Sequence, residues 1–331
     1  MIPLFKPFIS SDVDAAIVKT LHSGFIGEGA KVKEFEEALI PWVGRLGLAV
    51  NSCTSAITLA LRCAGVGLGD EVITTPMTCV ATNTPILNLG AIPVWSDVDP
   101  KTGNVTKETV VRALRASRNP KAILIVHWGG EPCDLDGINA LDRMYGVPVI
   151  EDAAHAFGSS YKGNPIGSHS DFVCFSFQAI KQLTTGDGGL LTCKNPKDYE
   201  RAKLLRWYGI DRNDPRRFLA DISEAGYKFH MNDIAATIGL ANLKHMPEIL
   251  KKQPRWLRTL LVDDRDVFEK KMEAAGIQVS QVHGRNDKYT MFKDFQRELP
   301  GVDEFSKKRI NVPCGWWLTE EEKQKIEIAI G

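Results

Sequence analysis

The 331-residue chain is short of several things, and each shortage excludes something. It has no excess of charge. Lys plus Arg and Asp plus Glu are 41 each, so bulk electrostatics offers no handle for nucleic acid or a membrane surface, and any anion must be held by a local site. No apolar run approaches the roughly 18 residues that a membrane span requires. The seven cysteines (Cys53, Cys63, Cys79, Cys133, Cys174, Cys193 and Cys314) are scattered and include no C-x-x-C pair, which argues for reduced thiols rather than a disulfide frame or a zinc site. The seven histidines (His22, His127, His155, His169, His230, His245 and His283) lack metal-ligand spacing, so no metal is expected. There is neither a G-x-x-x-x-G-K-S/T loop nor a helix-opening G-x-G-x-x-G fingerprint. The opening Met1-Ile2-Pro3-Leu4-Phe5-Lys6-Pro7 has no basic-then-apolar signal order. A soluble, cytoplasmic chain with no nucleic-acid or membrane partner is the expectation.

What remains is an ordinary globular composition, 44% apolar and 25% charged, on a chain longer than one core usually serves. Seven short apolar runs, uninterrupted as in strands covered on both faces, alternate with helical patterns: Leu46–Val50, Glu71–Thr75, Ile92–Ser96, Ala122–Val126, Val147–Ile150, Phe172–Phe175 and Leu190–Cys193. Val32, Phe35 and Leu39 form one helical stripe; Leu135, Ile138, Leu141 and Tyr145 form another, stopped by Gly146. Asp12 and Thr106 read as N-caps. Repeated β-α-β units predict a three-layer α/β/α sandwich around a mainly parallel seven-stranded sheet. From about Asn232 a long helix runs towards Lys251, followed by a strand at Thr259–Val262, a helix across Val267–Ala275, a strand at Ile277–Val279 and a helix after Thr319. The predicted division is a large domain over 1–245 and a smaller C-terminal α/β domain over 246–331.

Three segments carry chemistry. Asn51-Ser52-Cys53-Thr54-Ser55-Ala56 follows a strand and opens a helix, where free N–H groups and the dipole make an anion site. The dipole contributes only about 0.3–2 kcal/mol, so hydroxyl donors must share the work; plain capping by Ser52 or Thr54 is the competing account. Asp152 ends the strand of Val149-Ile150-Glu151-Asp152-Ala153-Ala154-His155 at the carboxyl edge of the sheet, where open α/β folds bind ligands, while alternation sends Glu151 to the other side. Lys181 follows a later strand in Phe175-Ser176-Phe177-Gln178-Ala179-Ile180-Lys181, before the turn Gly186-Asp187-Gly188-Gly189. A lone lysine and a strand-end aspartate are what pyridoxal phosphate (PLP) needs: an amine to form a Schiff base with its aldehyde, and a carboxylate to keep its ring nitrogen protonated. Bringing a lysine from about 10.4 to about 7 costs roughly 4–5 kcal/mol of environment, which burial can supply.

With Gly27-Glu28-Gly29, Gly69-Asp70-Glu71-Val72-Ile73, Thr184-Thr185-Gly186-Asp187-Gly188-Gly189 and Gly226-Tyr227-Lys228-Phe229-His230-Met231-Asn232 added, these motifs span nearly the whole chain. Together they resemble the DegT/StrS-type family of PLP-dependent sugar aminotransferases, which have the fold-type I architecture. The resemblance implies that Lys181 is the Schiff-base lysine, Asp152 the partner of the ring nitrogen, and His155 and Cys79 ring contacts. It implies that Thr54 and Ser176 hold the phosphate with Cys53 backbone, and that Lys228 to His230 reach the neighbouring active site of a homodimer with shared sites. It also implies amino transfer, usually from L-glutamate, to a nucleotide-linked keto-sugar. A sister branch of dehydratases has histidine in place of the lysine, so Lys181 puts this chain on the transaminase side; another PLP reaction on a sugar and a non-catalytic descendant remain the alternatives.

Some positions depart from the family pattern. Cys79 stands where an aromatic residue commonly stacks on the cofactor, Cys53 where glycine or alanine is frequent, and Lys228 and His230 where asparagine and arginine are common. The connection after Lys251 is much shorter than usual, so the small domain is expected to lack an edge strand. His283, Arg285 and Asn286, in a polar stretch after a predicted strand, are the candidate substrate contacts, the arginine being suited to bidentate phosphate binding.

Overall fold

In the computed structural model, which describes residues 1–212 and 214–331, the seven apolar runs do form one sheet. They are β1 (Gly47–Val50), β2 (Glu71–Thr74), β3 (Ile92–Trp95), β4 (Pro120–Val126), β5 (Val149–Asp152), β6 (Phe172–Ser176) and β7 (Gly189–Cys193), in the spatial order β1-β7-β6-β5-β4-β2-β3. β7 runs antiparallel to both neighbours; the remaining pairs are parallel. Every residue of β1, β5, β6 and β7 is buried, because alternate side chains feed two different cores. Leu48, Val50, Leu124, Ile150, Cys174 and Leu191 pack under α3 (Cys53–Cys63) and α7 (Pro196–Arg206). Ala49, Ile123, Ile125, Val149, Val173 and Phe175 pack against the opposite layer, which holds α2 (Ala30–Val43), α5 (Lys107–Ala116), α6 (Leu135–Tyr145) and α8 (Asp233–Leu243). This is the three-layer α/β/α arrangement that strands apolar on both faces require.

Local signals explain most ends. Thr106 and Thr109 close a capping box on α5, and Gly146 ends α6 in the left-handed region at φ 66°. At α1 (Asp12–Leu21) the cap position belongs to Ser11, and Asp12 is already the first helical residue. The predicted long helix towards Lys251 is two helices, α8 and α9 (Met246–Lys252), broken at Lys244 and His245. Pro247 supplies the reason: it has no N–H for the Leu243 carbonyl, and its ring would clash there.

The C-terminal part adds a two-stranded antiparallel sheet, β8 (Arg258–Leu261) with β9 (Arg309–Val312), and helices α10 (Arg265–Ala274), α11 (Pro300–Lys308) and α12 (Glu320–Ile330). Phe268, Met272, Ile277, Ile310, Val312 and Ile326 form a separate core there, joined by Ile2, which bridges to Ile277. The strand expected at Ile277–Val279 is reduced to isolated bridges, Ile277 with Ile2 and Ser280 with Asn311 on the edge of β9 away from β8. Only residues 253–257 separate α9 from β8, and among them Trp256 and Leu257 pack in the core of the large sheet. Among the described residues no helix is long and apolar enough to cross a membrane.

Candidate active site

The carboxyl edge of the sheet gathers most of the predicted residues. Asp152 closes β5 at 4% exposure, with one carboxylate oxygen accepting from the Thr82 hydroxyl at 2.6 Å and the other from the Ala154 N–H at 3.0 Å. Thr82 in turn lies 2.8 Å from the hydroxyl of Thr78. One residue earlier, Glu151 points through the sheet to His127, 2.8 Å away, and accepts the Ser170 N–H. The backbone N–H of Cys133 donates to His127 Nδ1, leaving Nε2 to carry the proton towards Glu151. Two adjacent acids thus face two unrelated environments, one structural and one lining a cavity.

Behind β1, Ser52 caps α3 by accepting the Ser55 N–H at 3.1 Å. The start of this helix presses against β7 so closely that a Cβ at Gly189 would meet the Cys53 nitrogen and the Phe175 oxygen at 2.7 Å. Only glycine permits that approach. Cys53 and Thr54 are thereby placed beside Ser176, the last residue of β6.

Lys181 sits on the turn after β6, its amine 3.2 Å from the centre of the Trp256 indole. Burial pushes that amine down to about 8, against the pull of the Asp152 charge. Lys181 and Asp152 line one cavity of about 590 Å³ but do not form an ion pair among the described residues. Cys53, Thr54, Cys79, His155, Ser176 and His283 share the lining. Burial, with the neighbouring Asp152 charge, raises the Cys53 thiol well above its ordinary range, which counts against a thiolate nucleophile. His155 stacks on Trp256 at 4.0 Å between ring centres.

Several expectations need correction. Arg285 does not face the cavity: its guanidinium is committed to Asp287, at 2.7 and 3.0 Å, and to Asp303. Asn286 is wholly buried, bonded to Asn83 and to the Thr78 carbonyl, and fastens this segment to α4 (Val80–Asn88). Lys228 and His230, expected to serve a neighbouring subunit rather than their own, do not line this cavity; His230 packs its ring 4.2 Å from that of Trp207, with Nδ1 buried and unpartnered. Conversely, sequence reasoning passed over Thr82, in the first turn of the helix that follows Cys79, and Trp256, Leu4, Phe5, Gln278 and Ser280, for none of which the sequence carried a signal.

Comparison with known proteins decides the family. The model of the DegT/DnrJ/EryC1/StrS aminotransferase family matches residues 7–261. The chain belongs to that family. The sugar aminotransferase CalS13 from Micromonospora echinospora shares the fold with a TM-score of 0.93 and 35% identity, over 100% of this chain and 99% of that one. The sugar aminotransferase Spr1654 from Streptococcus pneumoniae, described as putative, superposes in its PLP-form with a TM-score of 0.89 at 29% identity, over 99% and 97%, and a PMP-form is also known. The spore coat polysaccharide biosynthesis protein SpsC of Bacillus subtilis is 37% identical over 76% of this chain and 66% of its own length, so the match spans just under two thirds of that relative. Pyridoxal phosphate is the cofactor of this family, and the residues present fit it. A buried amine and a buried carboxylate line one cavity of about 590 Å³ without pairing with each other, which suits a ring that needs both, and Thr54, Ser176 and the start of α3 line the same cavity.

Proposed function

We propose that this chain is a PLP-dependent aminotransferase that moves an amino group from an amino-acid donor, L-glutamate by preference, to the keto group of a nucleotide-diphosphate sugar. The observation that carries this reading is the single cavity shared by the Lys181 amine and the Asp152 carboxylate. When bound, the cofactor supplies an aldehyde for exchange of amines and a protonated ring that withdraws electrons from the reacting carbon.

The chain supplies the rest. Lowering Lys181 from 10.5 to about 8 raises its neutral fraction at neutral pH by roughly 300-fold, which gives an amine able to attack and later to take a proton from the donor's α-carbon and return it. Asp152, held by Thr82 and the Ala154 N–H, keeps a proton on the ring nitrogen. Thr54, Ser176 and the α3 N-terminus bind the phosphate, with Cys53 backbone beside them; Cys79 and His155 contact the ring. His283 faces the substrate side. Lys228 and His230 serve the site of the second subunit in a homodimer. The exposed Phe218 and Leu219, at 84% and 88%, support such an assembly, since they lie in the same connection between α7 and α8 as Lys228. A histidine-type sugar dehydratase is disfavoured by Lys181 itself.

The test is direct. Purified protein given PLP is assayed for 2-ketoglutarate release from glutamate across a panel of nucleotide keto-sugars, with visible absorbance followed in parallel. Amino transfer to one or more of them is expected; folded protein with neither a visible band nor transfer would overturn the assignment.

A further inference from the structure

Val282 has φ 65°, and among the non-glycine residues described with positive φ it is the β-branched one, for which that conformation is strained. Such strain persists only where the surroundings over-determine it. Here they do. Arg309, wholly buried on β9, donates from one Nη to the Gln281 carbonyl and from the other to the His283 carbonyl, so its fork holds Val282 from both sides. Asn311, on the same face of β9, donates from Nδ2 to the Ser280 carbonyl at 3.0 Å, and its own backbone bridges to Ser280. Arg309 forms no ion pair among the described residues. Its Nε has no partner, its other neighbour is the Trp128 ring at 5.2 Å, and burial pushes it down to about 10. Burying a guanidinium on such terms is expensive. What the arrangement accomplishes is to fix the turn at 281–283.

That turn delivers His283. Its Nε2 lies 3.3 Å from Nε2 of His155, with the two rings 5° from parallel. His155 Nδ1 accepts the N–H of Gly129 at 3.3 Å, so the His155 proton resides on Nε2 and His283 is its acceptor. Burial depresses both imidazoles, His283 to about 3, in keeping with two neutral rings.

We propose that His283 is a positioning residue for the reaction: clamped by Arg309 across the strained Val282, it accepts the Nε2–H of His155 and so holds the orientation of that ring against the cofactor, in the tautomer that the Gly129 N–H sets. The inference rests on the reading of this cavity as the cofactor site.

Two variants separate the acceptor from the ring. His283→Gln keeps an acceptor, and His283→Phe keeps a flat ring without one. Both are read by the absorption maximum of bound PLP, its Kd, and kcat and KM with glutamate. His283→Phe is expected to shift the maximum and lower kcat about tenfold, the scale of one buried hydrogen bond, with KM little changed. His283→Gln should keep the wild-type spectrum and stay within about threefold in kcat. Arg309→Met should reproduce the Phe phenotype, and the double variant should be no worse than His283→Phe alone. If Arg309→Met fails to fold, the Gln and Phe pair decides alone. Equal behaviour of Gln and Phe, or a Phe variant like wild type, overturns the proposal; additive losses in the double variant overturn the clamp. Wild-type protein with no visible band sinks the cofactor reading and this inference with it, whereas a normal band with an indifferent Phe variant sinks only the inference.

Discussion

On one side of the cavity, Asp152, Thr82, Ser176 and the start of α3 sit at the ends of regular strands and helices, whereas on the other side Gln278, Ser280, Val282 and His283 lie in a stretch that makes only isolated bridges. The first wall is rigid because its backbone is satisfied within the sheet and by caps such as Ser52. The second has few backbone bonds, the bridges at Ile277 and Ser280 among them, and relies on buried side chains of β9 that grip its carbonyls. The difference suits the two molecules that would meet here. A cofactor places constant demands, which regular elements meet with help from the one turn that presents His283 to His155; a sugar varies, and the rest of the irregular wall can be reshaped without disturbing the sheet.

The largest way to break that comparison is at the sheet wall. Lys181→Ala should lower glutamate-dependent amino transfer by more than about 10⁴-fold while the melting temperature holds or rises, since it removes both nucleophile and proton carrier. Transfer near the wild-type rate would remove Lys181 from the mechanism. Asp152→Asn should cost about 10²–10³ in kcat, the scale of losing a group that stabilises developing charge. Its neighbour sharpens the contrast: Glu151→Gln is expected to leave kcat unchanged but lower unfolding stability in urea by about 1–3 kcal/mol, because His127 loses a buried charged partner. Thr82→Val should reduce kcat about tenfold, with a weaker response expected if Asp152 is held mainly by the Ala154 N–H.

The last test concerns pH. In cofactor-free protein, acylation of Lys181 should show a midpoint near pH 8 rather than 10.5. Because the folded value lies below the unfolded one, the unfolded chain binds more protons between them. Stability should therefore rise with pH from about 8 towards 10.5, and this increment should vanish in Lys181→Met.

Much of the sheet wall was legible. Seven apolar runs announced seven strands, and because strand ends share one edge of a parallel sheet, Asp152 and Ser176 come to line one cavity, with Lys181 on the turn that follows. The other wall was not. Arg285 offered the fork that phosphate favours, but the same fork fits a carboxylate, and Asp287 stands two residues away. The break at Lys244 could have been read from Pro247, yet the apolar period ran on through it. Nothing in a sequence reports that Val282 takes a positive φ or that Trp256 reaches Lys181, since both follow from contacts distant along the chain.

The strap formed by residues 2–5 has a practical side. Ile2 is stitched to Gly276 and Gln278 by backbone bonds, the Leu4 N–H donates to the Gln278 side chain, and Leu4 and Phe5 shut one flank of the chamber that holds Lys181. Trimming this handful of amino acids, or fusing a bulky tag immediately ahead of them, would leave the sheet standing and let water flood the reacting centre. Protein meant for kinetics should carry its purification handle elsewhere.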